Sequence, residues 1–123
     1  MMRRVECQGR VVRARALHPG QDGAVTTVQL RRYQLEPGRM ADFLAWFPGL
    51  DPVRAQFGFR LLFGYVDDEH ETFTWAVQHD GDEAAFRKAE ATYNASPERA
   101  QLFETFPACI ASMDIGFVRD VPS

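Results

Sequence analysis

The sequence predicts one α+β domain in which the elements follow the order β-α-β-β-α-β. Three observations predict it. Segments rich in β-branched and aromatic residues open and close the arrangement, at 25–35 and 109–119. Two further strand-like segments, 59–66 and 71–79, are separated by only a short polar turn, as in an antiparallel hairpin. Between these strands lie apolar stripes of helical period.

Each element has a local reason. Residues 25–35, Val-Thr-Thr-Val-Gln-Leu-Arg-Arg-Tyr-Gln-Leu, read as a strand that Pro37-Gly38 stops. A helix starts near Pro37, with Met40, Phe43, Leu44 and Phe47 on one stripe and Trp46 and Leu50 broadening it. Pro48-Gly49 and Pro52 break it, and Asp51 is placed to cap a short continuation through Val53, Arg54 and Phe57 up to Gly58. In the second strand, Phe59, Leu61, Phe63 and Tyr65 are expected on one face. Leu62 and Val66, with Arg60 and Gly64, are expected on the other. Asp67, Asp68 and Glu69 make the turn, and Phe73, Trp75, Val77 and His79 alternate along the third strand. Asp80-Gly81-Asp82 runs into a helix carrying Ala85, Phe86, Ala89 and Tyr93. Ser96 caps a second helix that begins at Pro97, points Leu102, Phe103 and Phe106 inward, and ends at Pro107. This is the split βαβ, ferredoxin-like pattern, with strands ordered four, one, three, two. Strands one and three are expected to run parallel, with Tyr33 and His79 at one sheet edge and Arg60 and Cys109 beside them. Strand four carries Met113, Ile115 and Phe117 on one face and Ile110 and Val118 on the other. Apolar residues on both faces call for cover on both, and helices cover one. A second copy of the chain, sheet against sheet, is the expected cover for the other.

Composition narrows the function classes. The 123 residues are 46% hydrophobic and 25% charged, an ordinary globular mixture, with a net charge of −3. The charge is uneven. The first 25 residues carry Arg3, Arg4, Arg10, Arg13 and Arg15 against Glu6 and Asp22, so the rest of the chain is acidic. An acidic body makes nucleic acid a poor partner. No apolar run reaches the length of a membrane span, and no signal-like segment opens the sequence, so a cytoplasmic protein is expected. The expected organisation is an arm at 1–24 and a domain at 25–120.

The stretch Gln29-Leu30-Arg31-Arg32-Tyr33-Gln34-Leu35-Glu36-Pro37-Gly38, followed by Gly58-Phe59-Arg60, Gly64 and an aromatic third strand, resembles the NIPSNAP family of the dimeric α/β-barrel superfamily. That resemblance covers roughly residues 26–118. It departs at Gln29, where the family usually has a carboxylate. It implies a ferredoxin-like protomer and a homodimer whose two sheets form a barrel. It implies no single reaction, since superfamily relatives include cofactor-free monooxygenases and cyclases of aromatic polyketides, lactone isomerases and haem-binding enzymes.

Several residues are candidates for chemistry. Tyr33, His79 and Arg60 at one end of a pocket would serve proton transfer and oxyanion stabilisation. The alternative for His79 is an exposed residue at a strand end. Arg31 and Arg32 are adjacent on a strand and so face opposite ways. One of them is expected to be part-buried and to pair with Asp114 on strand four, either as a structural pair or as a clamp for an enolate, phenolate or carboxylate. Asp114 alone is a further candidate, as a general base. Trp46, Tyr65, Trp75 and Tyr93 either line an aromatic ligand pocket, with Arg60, or simply fill the core. Cys109 reads as a small buried hydrophobe. No metal, haem, flavin or nicotinamide is expected. The three histidines are scattered, and no Gly-rich phosphate loop is present. Two functions remain open. One is a cofactor-independent enzyme acting on an aromatic or polyketide-like substrate in secondary metabolism. The other is a non-catalytic dimeric binding or assembly protein.

Overall fold

The computed structural model describes residues 25–121. The arginine-rich arm, and with it Cys7 and His18, lies outside the described residues. Four strands form one sheet: β1 (Thr26–Leu35), β2 (Arg60–Asp67), β3 (Thr72–Asp80) and β4 (Ile110–Val118). Between β1 and β2 run α1 (Met40–Trp46), a single 3-10 turn at Phe47–Gly49, and α2 (Leu50–Ala55). Between β3 and β4 run α3 (Glu83–Asn94) and α4 (Pro97–Phe103). The order across the sheet is β2-β3-β1-β4, as the pattern predicts.

The relative direction of β1 and β3 corrects the sequence expectation. They are antiparallel, with Tyr33 opposite Phe73 and Thr27 opposite His79. The crossover through α1 and α2 brings β2 back parallel to β1. The hairpin turn then sends β3 the opposite way, into the gap between them. Tyr33 and His79 therefore stand at opposite ends of the sheet, about 20 Å apart at the usual rise per strand residue. Arg60 lies at the His79 end, opposite Gln78. Cys109 lies at the other, where its carbonyl accepts from the Glu36 amide at 2.8 Å.

A bulge corrects a second expectation. In β2, Leu61 pairs with Val77 but Phe63 pairs with the next residue, Ala76, so Leu62 is an inserted residue. The insertion inverts the alternation. Gly64 and Val66 join Leu61 on the helix-covered face, while Phe63 and Tyr65 turn to the outer face. Phe73 lies so close over Gly64 that an added Cβ would stand 2.9 Å from its Cζ atom.

Helix ends follow local chemistry. The Asp82 side chain caps α3 by accepting from the Ala85 amide, and Ser96 caps α4 by accepting from the Arg99 amide. Asp51 does not cap α2; it sits in the first turn, and Gly49 holds the cap position. The 3-10 turn accommodates Pro48 without ending the helical path, so α2 starts one residue before Asp51.

The core lies between the sheet and the helices. Phe43, Phe59, Phe73, Trp75, Val77, Phe86 and Tyr93 are all buried there. No helix among the described residues is long and apolar enough to cross a membrane. On the opposite face of the sheet, Phe63 and Val118 are exposed.

Candidate functional site

A cavity of about 450 Å³ lies between the helices and the sheet toward the β1–β4 side, within the range of small-molecule sites. Strand alternation brings Gln29, Arg31 and Tyr33 of β1 to its floor with Trp75 of β3 beside them. Arg54 comes from α2, Glu90 and Tyr93 from α3, and Arg99 from α4. Trp46, Phe103 and Phe106 form an aromatic wall. Trp46 is held there because its indole Nε1 donates to the Leu102 carbonyl at 3.1 Å.

Arg31 is tightly engaged. Its Nε donates to the Tyr33 hydroxyl at 2.8 Å, and its Nη1 donates to Gln29 Oε1 at 2.6 Å and to Glu90 Oε2 at 3.3 Å. Tyr33 is thus an acceptor toward Arg31, and its own proton is left for another acceptor. The Gln29 side chain is a neutral amide. The pocket's negative charge comes from Glu90.

Among the described residues Arg54 is the most deeply buried cation, only 3% exposed. Its Nη2 stands 3.6 Å from Glu90 Oε2, while Nε and Nη1 have no partner. Rings enclose it: its guanidinium carbon lies 4.5 Å from the centre of Tyr93, 5.0 Å from Phe59 and 5.5 Å from Trp75. Burial, and then the like charge of Arg31, pulls its pKa below the ordinary guanidinium value. Burial pushes the Tyr93 phenol up, against the opposing pull of Arg54 and Arg99. Arg99 stacks on Phe103 at 4.0 Å.

The sequence-predicted residues divide by location. Arg31, Tyr33, Trp46, Trp75 and Tyr93 line the cavity. Arg32, Arg60, Tyr65, His79 and Asp114 do not. Arg32 stands opposite Asp114 across β1 and β4, as the expected pairing requires, but both are exposed on the outer face. Among the described residues no ion pair joins them, and the part-buried Arg31 pairs with Glu90 instead. The reason is the register: Asp114 faces Arg32, whereas Arg31 faces Ile115 and reaches across to α3. Arg60 donates to Gln78 and Asp80 near the sheet edge. Both ring nitrogens of His79 face backbone carbonyls, Nδ1 that of Asp80 at 2.7 Å and Nε2 that of Phe57 at 3.1 Å. Cys109 is fully buried, which pushes its thiol pKa up. Among the described residues, no three His, Cys, Asp or Glu side chains cluster as metal ligands do.

Arg54, Glu90, Arg99 and the liganding role of Gln29 were not singled out from the sequence. The signal for Arg54 was its spacing, four residues after Leu50 and seven after Phe47 on an otherwise apolar stripe. Glu90 likewise falls between Phe86 and Tyr93, four residues after one and three before the other.

No protein-family model matches the chain, and no curated protein matches it by sequence. Solved structures do match its fold. A NIPSNAP-like domain protein from Burkholderia xenovorans aligns over 78% of this chain and 85% of its own, with a TM-score of 0.67 at 19% identity. A NIPSNAP family protein of unknown function from Agrobacterium tumefaciens aligns over 76% and 86%, with a TM-score of 0.67 at 10% identity. A candidate antibiotic biosynthesis monooxygenase from Nitrosomonas europaea aligns over 78% and 90%, with a TM-score of 0.59 at 9% identity. The chain has the ferredoxin-like fold of these proteins.

Proposed function

We propose that this chain is a NIPSNAP-like homodimeric cytoplasmic protein whose pocket takes a small aromatic or polyketide-like substrate. It acts there without a cofactor, as a monooxygenase, cyclase or isomerase of secondary metabolism. The observation that carries the reading is the Arg31–Tyr33 arrangement. Arg31 occupies an acceptor position on the Tyr33 oxygen, so the phenol is left as a donor at the wall of an aromatic-lined cavity. A charge-assisted donor of that kind stabilises an enolate or phenolate oxygen as charge develops on it. Cyclisation and isomerisation are redox-neutral, whereas an oxygenation without a cofactor draws its electrons from the substrate. In an oxygenation at an enolisable CH₂ group, dioxygen accepts the electrons. One oxygen atom becomes the new carbonyl, and the other leaves as water with the two hydrogens of the CH₂. The dimer reading is supported by the outer sheet face, where Phe63 and Val118 are exposed and Ala76 is apolar. Light scattering at micromolar concentration is expected to return twice the 14.0 kDa chain mass; a monomer without hydrophobic-dye binding ends that part of the proposal.

Anthrone, a flat enolisable ketone, tests the chemistry. The protein is expected to accelerate oxygen uptake by anthrone with one dioxygen consumed per ketone formed. Tyr33→Phe should slow it by roughly 100-fold. A second reading, a binding protein without turnover, is favoured by Glu90. It is the carboxylate lining the pocket, and it is held between two guanidinium groups rather than free to act as a base. Binding of anthrone with no accelerated uptake would select that reading.

A further inference from the structure

We infer that the pocket is a receptor for a flat aromatic carboxylate, its carboxylate seated where Arg54, Tyr93 and Arg99 converge. The inference rests on the proposal above that the cavity is a small-molecule site, and it names the ligand class.

Native proteins leave few buried polar atoms without a partner. Among the described residues five side-chain atoms are in that state: Arg54 Nε and Nη1, Trp75 Nε1, the Tyr93 hydroxyl and Arg99 Nε. All belong to residues that line this one cavity. All can donate, and four are N–H groups that can do nothing else. A ligand that completes them must be rich in acceptors.

Charge points the same way. Arg31, Arg54 and Arg99 line the pocket against the single carboxylate of Glu90. Arg31 is already engaged by Gln29, Tyr33 and Glu90, so the surplus falls on the other two. Both stand against one ring: the guanidinium carbons of Arg54 and Arg99 lie 4.5 Å and 5.8 Å from the centre of Tyr93. A carboxylate at that corner supplies lone pairs and one negative charge together. A bare inorganic anion would leave the wall of Trp46, Phe103 and Phe106 unfilled; a ring attached to the carboxylate covers it.

The test uses the full chain and three probes, 2-naphthoate, its neutral counterpart 2-naphthalenemethanol, and inorganic phosphate, read by calorimetry. Naphthoate is expected to bind at least about tenfold more tightly than the alcohol. Arg99→Gln, on a part-exposed helix position, is expected to keep the native circular dichroism and to lose most of that preference. Arg54→Met should abolish the preference if it folds, and Arg99→Gln decides the matter if it does not. Equal affinity for naphthoate and the alcohol overturns the carboxylate inference and leaves the small-molecule pocket standing. Binding of neither overturns both. Phosphate binding as tightly as naphthoate overturns the requirement for an aromatic body. A preference unchanged in Arg99→Gln overturns the assigned corner.

Discussion

The two ends of the helix-covered sheet face are built from the same elements and finished differently. At the end near the β3–α3 turn, Phe59, Phe86 and Phe117 close edge to face, with Phe86 5.1 Å from each of the other two. The polar group there, His79, has a backbone carbonyl within hydrogen-bond distance of each ring nitrogen, so whichever nitrogen carries a proton has an acceptor. At the other end Arg54, Trp75, Tyr93 and Arg99 keep donors without acceptors around an open cavity. One helix, α3, serves both ends, since Phe86 and Tyr93 are two turns apart on its buried face. The difference lies in the backbone nearby. The carbonyls that hold His79 come from a loop residue and a strand end, where they are not consumed by a regular ladder. The pocket is walled largely by helix and strand interiors, whose carbonyls are consumed by regular backbone bonding. A buried donor there needs a side chain or a helix-end carbonyl within reach: Arg31 and Trp46 have one, whereas Arg54, Trp75, Tyr93 and Arg99 keep donors that do not.

That contrast can be broken at its closed end first. Phe86 is fully buried among rings, so Phe86→Ala should cost roughly 3–5 kcal/mol of stability, read from the urea midpoint, while pocket affinity follows only the loss of folded protein. A cost below about 1 kcal/mol would show that this end is not a packed core.

The open end should behave in the opposite way. Tyr93→Phe removes a hydroxyl that has no partner, so stability at neutral pH should change by less than roughly 0.5 kcal/mol or rise slightly, while naphthoate affinity falls. The same phenol sets a pH dependence. Burial raises its pKa above the ordinary value of 10.0, so the folded state holds the proton longer than the unfolded chain. The stability this confers is complete below about pH 10 and is lost as pH rises through the folded value. Stability, read from urea denaturation above pH 10, should therefore fall more steeply with pH for the native sequence than for Tyr93→Phe. Identical slopes would show that Tyr93 titrates as it does in water.

How much of this was legible follows from the range of each signal. The eight elements and their order were readable because they rest on periodicity, turn residues and caps within a few positions of one another. Ser96 and Pro97 announced α4 in this way. The opposite faces of Arg31 and Arg32 followed from strand alternation alone. The inverted face of Phe63 and Tyr65 did not, because one inserted residue in β2 is visible only against its partner strand. Arg54 was legible as a position but not as a site. A lone arginine on an apolar stripe becomes informative only when the facing strand supplies Trp75 and the facing helices supply Tyr93 and Glu90.

Local chemistry, carried by the chain itself, set where strands and helices form, where they stop and which residues alternate together. The tertiary structure decided which of those residues meet. It set β3 antiparallel to β1 and so separated Tyr33 from His79. It turned Asp114 toward Arg32 and left Arg31 to Glu90. It gathered arginines from a strand and two helices around one cavity. Periodicity is written over four or five neighbouring residues, but pairing across a sheet and convergence of helices join residues tens of positions apart. Their relative placement is chosen by burial of the shared core, not by any one segment.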